Sequence, residues 1–329
     1  MRIGVHARHW QGSPHDVAEL GRIAEGAGLD SIWVSETWGS DAVALATWIA
    51  AATTTIDIGT GVLQMAARTP VQSAMAALTL DHLSGGRFRL GLGVSGPQVV
   101  EGWHGAASDH PLARTREYVE IVRSVLRRDA PVEAPGPHYP LPRPGGEGKP
   151  LKANVRPLRA DIPIYLAAMG PRNVALAGEV AEGWLPLLFS PDHADAFPIA
   201  ELPDGFDVAP MALTAIDEDV AFARDAVRSE IARYVGAFGS RGTNFYADLV
   251  RRYGFERQVD AIQDAALDGR MADATAAAGD ELVDTVALVG SVGRIRERLD
   301  AYEQAGVTTV LAMTTAPATV RALEEVRSA

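Results

Sequence analysis

Short apolar runs alternate with longer segments of helical period along most of this chain, and that alternation limits the fold more than any other feature. Strands are predicted over 3–7, 31–35, 56–62, 87–93, 164–168, 183–187, 208–216 and 308–313. Helices are predicted over 14–27, 41–53, 71–83, 112–128, 172–181 and 218–238, with four more over 255–267, 271–278, 295–305 and 317–327. In the first of them Val17, Leu20, Ile23, Ala24 and Ala27 recur at three- and four-residue spacing, and Gly28 supplies the stop. Strands that alternate with helices form parallel sheets, because a parallel pair needs a crossover and a helix is the usual one. Eight such units in 329 residues predict a closed (β/α)8 TIM barrel rather than an open doubly wound sheet. Two stretches interrupt the rhythm, about 130–160, where eight prolines leave room for no more than a short hairpin, and about 239–281. Both read as insertions in a single domain spanning 1–329, since composition nowhere shifts enough to mark a linker.

In a parallel barrel the ligand-binding edge is the carboxyl-terminal mouth. The positions just beyond the predicted strands are Arg8–Trp10, Glu36–Trp38, Gly61–Gln64, Val94–Gln98, Met169–Asn173 and Pro186–Ser190. Met169-Gly170-Pro171-Arg172 opens a helix directly after a strand: glycine permits close backbone approach, proline suits the first helical turn, and free amides with Arg172 favour an anion. Ser95-Gly96 is a similar turn. Glu36 has two readings, a ligand or proton-handling carboxylate and a cap for the helix that begins near Asp41. His6 reads as a barrel-interior histidine, whereas His9 and Trp10 lie beyond the strand where a substrate reaches. Trp103 and His104 have the choice between a ligand wall and a loop anchor, and Asp81-His82 sits at a helix end remote from the mouth.

Several function classes are excluded or disfavoured. A net charge of -12 argues against a nucleic-acid surface. No apolar run approaches the roughly 20 residues of a membrane span, and Met1-Arg2 leads straight into a strand, so a cytoplasmic protein with no membrane association is expected. Zero cysteines exclude disulfides and thiolate chemistry, and the eight histidines lack metal-ligand spacing. There is no G-x-S-x-G, no Walker motif and no G-x-G-x-x-G opening a helix, so neither a Ser nucleophile nor a Rossmann dinucleotide site is expected.

Four stretches together carry a family resemblance: Trp33–Glu36, Gly59–Val62, Thr79–Gly93 (TLDHLSGGRFRLGLG) and Ala168–Gly183 (AMGPRNVALAGEVAEG). They resemble the luciferase-like monooxygenase superfamily, and most closely its branch using the deazaflavin coenzyme F420, which includes methylene-tetrahydromethanopterin reductase. The resemblance implies a non-prolyl cis peptide at Gly61-Val62 against the deazaflavin ring, phosphate contacts at Ser95-Gly96 and Met169-Gly170, and Glu36 near the ring's polar edge. Where the sugar-phosphate dehydrogenases of the superfamily carry a histidine and a glutamate, this chain has Thr37 and Pro97. A reductase is therefore expected over a sugar-phosphate dehydrogenase.

The leading expectation is an F420-dependent oxidoreductase acting on a small organic substrate, with Trp10, Trp38, Gln64 and Trp103 around the substrate and Glu36, Thr37 or His9 as proton partner. An FMN-dependent monooxygenase and a cofactor-binding flavoprotein without turnover are the alternatives. The resemblance also implies a homodimer, for which the alanine-rich second and third helices are suited. The only two lysines, Lys149 and Lys152, with Arg156 and Arg159, are expected either to hold the acidic coenzyme tail or to cover the mouth.

Overall fold

The computed structural model describes residues 1–8, 13 and 15–328. Every strand pairing in it is parallel. The strands are β1 (Arg2–Ala7), β2 (Ser31–Val34), β3 (Asp57–Thr60), β4 (Leu63–Gln64), β5 (Phe88–Gly93), β6 (Ile164–Leu166), β7 (Gly183–Trp184), β8 (Asp207–Val208), β9 (Met211–Ile216), β10 (Ala287–Gly290) and β11 (Thr309–Thr314). Pairing runs from β11 through β1, β2, β3, β5, β6 and β7 to β8, while β9, the continuation of β8, pairs with β11. β3 with β4, and β8 with β9, each count as one interrupted stave, so the ring closes with eight staves as the alternation predicts.

The interruptions fall at identifiable residues. Between β3 and β4 the Gly61–Val62 peptide is cis. Between β8 and β9 stands Pro210, which has no N–H to give the ladder although its carbonyl still accepts from Leu311 N at 2.9 Å. The predicted strand 183–187 keeps only β7 and one further bridge, Leu187 to Met211. β10 was not foreseen. It pairs only with the far half of β9, Ala287 opposite Leu213 to Gly290 opposite Ile216, and lies outside the ring. The second insertion is helical throughout: Phe245–Arg252, Glu256–Leu267, Met271–Ala277 and Asp280–Val286, the first and last of these beyond the two predicted. The first insertion contains the short hairpin, with Ala134 and Leu141 exchanging backbone hydrogen bonds of 2.8 and 2.9 Å.

The amino-terminal end of the barrel is plugged. Trp33 and Tyr165 meet edge to face at 5.0 Å, and a Cβ at Gly59 or Gly183 would collide with one ring or the other. Below them Tyr165 donates to Asp207 at 2.8 Å and accepts from Arg89 at 2.8 Å, Arg89 also holds Asp57 at 2.9 Å, and Thr309 donates to Asp207 at 2.8 Å. Large rings over a paired polar layer leave no passage, so the accessible end is the opposite one. The helices that position that end are well capped. Asp41 accepts from Ala44 N at 2.8 Å for Ala42–Ala52, Thr69 from Gln72 N at 3.2 Å for Pro70–Ser84, and Gly85 closes the latter at φ 67°.

Asp81 and His82 tie down the first insertion: Arg159 reaches Asp81 at 2.9 Å and the His82 ring meets the Arg156 carbonyl at 2.8 Å. This corrects the expected placement of the basic group. Lys149 and Lys152 line a groove of about 700 Å³ that the insertion makes over helices Pro70–Ser84 and Pro111–Arg127, on the barrel's flank rather than its mouth. Lys152 spends a donor on the Asp129 carbonyl at 2.8 Å.

Candidate active site

A cavity of about 290 Å³ occupies the carboxyl-terminal mouth. Thr37, Trp38, Gly61, Val62, Gln64, Ser95, Gly96, Met169 and Gly170 all line it, so the turns after four staves converge as anticipated. No aspartate, glutamate, lysine or arginine side chain is in the wall among the described residues. Two wall residues, Thr37 (φ 48°) and Ser95 (φ 61°), hold left-handed backbone conformations that non-glycine residues rarely adopt. Such conformations survive where the surroundings over-determine them, often at binding sites. Around Thr37 the fixing contacts are a hydrogen bond from its own Oγ1 to the Glu36 carbonyl at 2.7 Å and one from the Gln64 side-chain amide to its carbonyl.

Two helices point their amino termini at this space. Gly96 precedes the short helix Pro97–Val100 and Gly170 precedes Pro171–Val180; neither end has a side-chain cap, and proline stands first in both. A Cβ built on Gly170 meets nothing within 4 Å. Uncapped amides beside an open glycine corner are suited to a phosphate. The opposite side is set by His6, whose Nε2 lies 2.8 Å from the Gly61 carbonyl and whose ring fills the place a Cβ on Gly61 would need. His6 thus has the interior role expected of it.

Other expectations are placed differently. Glu36 is buried and absent from the cavity wall: Arg68 lies 2.5 Å from Oε1, and Oε2 accepts the Gln64 backbone amide at 2.8 Å. Oε1 also accepts from Ala42 N at 3.4 Å, so the carboxylate meets the first amide of Ala42–Ala52, the helix that Asp41 caps. Trp103 is 66% exposed and outside the wall. Its neighbour His104 makes the contact instead, Nε2 to Gln64 Oε1 at 2.9 Å, and so joins the loop after β5 to the stave containing β4. Pro171 and Arg172 are exposed and do not line the cavity. The cation that does reach this turn is Arg252, which donates to the Met169 carbonyl at 2.9 Å. His9 and Trp10 lie outside the described residues.

Sequence reasoning missed one entire wall. The helix predicted over 218–238 is α-helical only to Ala232 and widens into a π turn, Arg233–Ala237, bringing Tyr234 and Phe238 into the cavity, where Asn244, Phe245 and Tyr246 join them. Trp38 packs on Phe238 at 5.1 Å, Phe238 on Tyr234 at 4.7 Å and Tyr234 on Tyr246 at 5.0 Å. Burial holds both phenols above the usual range, Tyr246 at about 12. A second chamber of about 430 Å³ shares Val94, Ser95, Asn173 and Phe245 with the first and includes Arg68 and Arg114.

An eight-staved parallel barrel, a cavity at its carboxyl-terminal mouth and two uncapped helix starts facing that cavity define a (β/α)8 enzyme of the kind that holds a phosphorylated ring cofactor. The chain belongs to the luciferase-like monooxygenase family, whose model matches residues 1–309. It is 46% identical over 324 residues to a Mycobacterium tuberculosis protein named as a coenzyme F420-dependent oxidoreductase, covering 94% of this chain and 93% of that one. It is 29% identical over 309 residues to the 5,10-methylenetetrahydromethanopterin reductase of Archaeoglobus fulgidus, covering 88% and 87%. The fold superposes on the coenzyme F420-dependent tetrahydromethanopterin reductase of Methanopyrus kandleri with a TM-score of 0.83 at 22% identity, over 99% of this chain and 98% of that one.

Proposed function

We propose that this protein is a coenzyme F420-dependent oxidoreductase acting as a reductase on a small organic molecule. The observation that carries the reading is the convergence of the turns that hold Thr37 and Gly61 with two uncapped helix starts, at Gly96 and Gly170, on one cavity whose described wall is uncharged. The residues fit the coenzyme: a flat ring matches the apolar space bounded by Gly61 and Val62, and its phosphate matches the corner at Ser95, Gly96, Met169 and Gly170, with Arg252 close by. In the adjoining chamber Arg68 and Arg114 would hold its anionic tail. When bound, the coenzyme supplies hydride; the protein orients it, excludes water and holds the proton partner.

Within that reading Thr37, Trp38 and Gln64 stand beside the ring and the substrate, and Glu36 serves by fixing the backbone of Gln64. His9 and Trp10, first residues past β1, remain assigned to the substrate side. The enzyme works in the cytoplasm; no helix among the described residues is long and apolar enough to cross a membrane. It pairs with a second copy through helices Ala42–Ala52 and Pro70–Ser84, which leave Trp48, Met75 and Leu83 about half exposed. The test is a fluorescence titration with F420 and a parallel one with FMN. Tight F420 binding and reoxidation of the reduced coenzyme by an organic acceptor support the reading; tight FMN binding with no F420 binding overturns it in favour of a flavin enzyme.

A further inference from the structure

The aromatic wall contains a feature that cofactor binding does not use. Tyr234 is 4% exposed, yet its hydroxyl makes no hydrogen bond among the described residues, and the residue lines the cavity. The oxygen itself is not sealed off: on a residue that lines the cavity, a hydroxyl with no protein partner can donate to a ligand there. The stave of β8 and β9 stands four staves from that of β3 and β4 around the ring, so the segment that follows it faces Gly61–Val62 across the mouth.

The phenol is also held in place. Asn244 is buried, and its side-chain amide donates to the carbonyls of Tyr234 and Val235 at 3.1 and 2.9 Å. These carbonyls belong to the π turn, where the ordinary helical ladder is widened. The Asn244 carbonyl oxygen accepts from the amides of Tyr246 and Ala247, both at 3.0 Å, so one side chain sets both tyrosines. Arg8 and Arg233 favour an anion at the Tyr234 oxygen, while burial, Tyr246 and Glu230 oppose it; Arg8 is paired with Glu230, one turn earlier on the same helix, at 3.5 Å.

We propose that Tyr234 is a catalytic residue that hydrogen-bonds the carbonyl oxygen of an uncharged, planar ketone and gives it the hydroxyl proton, the ketone lying against the aromatic wall of Trp38, Tyr234 and Phe238. The assignment rests on the oxidoreductase reading above and names its substrate class. The carbonyl carbon accepts hydride, with its two electrons, from the reduced deazaflavin. The C=O π pair moves onto oxygen and takes the Tyr234 proton, giving an alcohol and oxidised coenzyme; the phenolate recovers a proton from water. Burial keeps the phenol protonated until that moment. An anionic substrate would find no counter-charge among the described wall residues, and ring faces at Trp38, Tyr234 and Phe238 favour a flat partner.

The experiment uses the full chain as wild type, Tyr234→Phe and, as control, Tyr302→Phe, a buried tyrosine outside the cavity whose hydroxyl donates to the Phe189 carbonyl at 3.2 Å, with carbonyl-13C acetophenone as probe and glucose 6-phosphate as its anionic competitor. The infrared C=O stretch of bound acetophenone is expected at lower frequency in wild type and Tyr302→Phe than in Tyr234→Phe. With reduced F420, Tyr234→Phe is expected to lower kcat for acetophenone by about 100-fold or more while KM changes by less than about tenfold. F420 affinity is expected to be the same in all three. An unchanged kcat or an unchanged stretch in Tyr234→Phe, the same loss in Tyr302→Phe, or displacement of acetophenone by glucose 6-phosphate overturns the proposal. A wild type that binds F420 with no Tyr234-dependent stretch defeats this proposal alone. One that binds no F420 and still shows the stretch difference defeats the oxidoreductase reading and keeps the phenol assignment.

Discussion

Arg68 and Glu36 meet at 2.5 Å behind the cavity wall, with side chains 12% and 6% exposed, and the same carboxylate carries the backbone amide of Gln64. The pair joins the ends of two neighbouring staves outside the wall of the first cavity, and its arginine also lines the adjoining chamber.

Glu36→Ala is therefore expected to act on stability before chemistry. It leaves Arg68 with only the exposed Asp41 as partner, and stripping one member from a buried pair costs about 3 kcal/mol. Denaturant unfolding would record the loss as a lower midpoint with unchanged slope. Among molecules that remain folded, kcat is expected to fall no more than KM rises; a selective collapse of kcat with full stability would restore Glu36 to the chemistry.

Gly170→Asp separates folding from coenzyme binding. The new carboxylate has open space, caps Pro171–Val180 and opposes a phosphate at the same amides. Tm is expected to hold or rise by about 2 °C while F420 affinity drops at least about 100-fold. Paired thermal melts and fluorescence titrations check this, and undiminished affinity would remove the phosphate from that corner.

Stability at low pH should depend on Glu25. Burial pushes its carboxyl upward, but the amides of Thr54, Thr55 and Ile56, at 2.6 to 3.1 Å, outweigh it and bring the group down to about 2. A carboxyl depressed in the folded state stabilises fully above its unfolded value near 4.5 and loses that contribution as pH falls toward 2. Glu25→Gln is expected to lower Tm at pH 7, with the gap to wild type closing across that window. Melts at half-unit pH steps are the measurement, and a gap independent of pH would refute the assignment.

Trp48→Asp tests the pairing surface. Trp48 is 53% exposed on the helix next to Met75, so a charge there should convert a dimer to monomer without lowering Tm by more than about 2 °C. Light scattering after size exclusion gives the mass, and a monomeric wild type would sink the idea.

How far the sequence carried the structure differs between the two halves of the chain. In the first, glycine stops after regular apolar periods, such as Gly28 and Ser84-Gly85-Gly86, bound each element, and the turns at Gly61, Ser95-Gly96 and Gly170 fell where the strands ended. The ion pair of Glu36 was not legible because its partner, Arg68, comes from another loop that no local pattern connects to it. In the second half the helical period runs unbroken through the π turn, so nothing in the spelling of 233–237 announces that Tyr234 changes face. Nor does any glycine or proline separate Val286 from Ala287, which let β10 pass unnoticed behind its preceding helix.

β10 also bears on how this scaffold can vary. The chain leaves the ring at the end of β9, builds the helix Val220–Ala232 with its π turn and then four more helices, and comes back to the same edge it left, alongside Leu213–Ile216. An excursion that departs and returns at one docking strip can grow, shrink or be replaced while the closed ring keeps its register. Substrate preference in such a molecule is thus free to drift as a cassette, with the coenzyme's half of the mouth held constant.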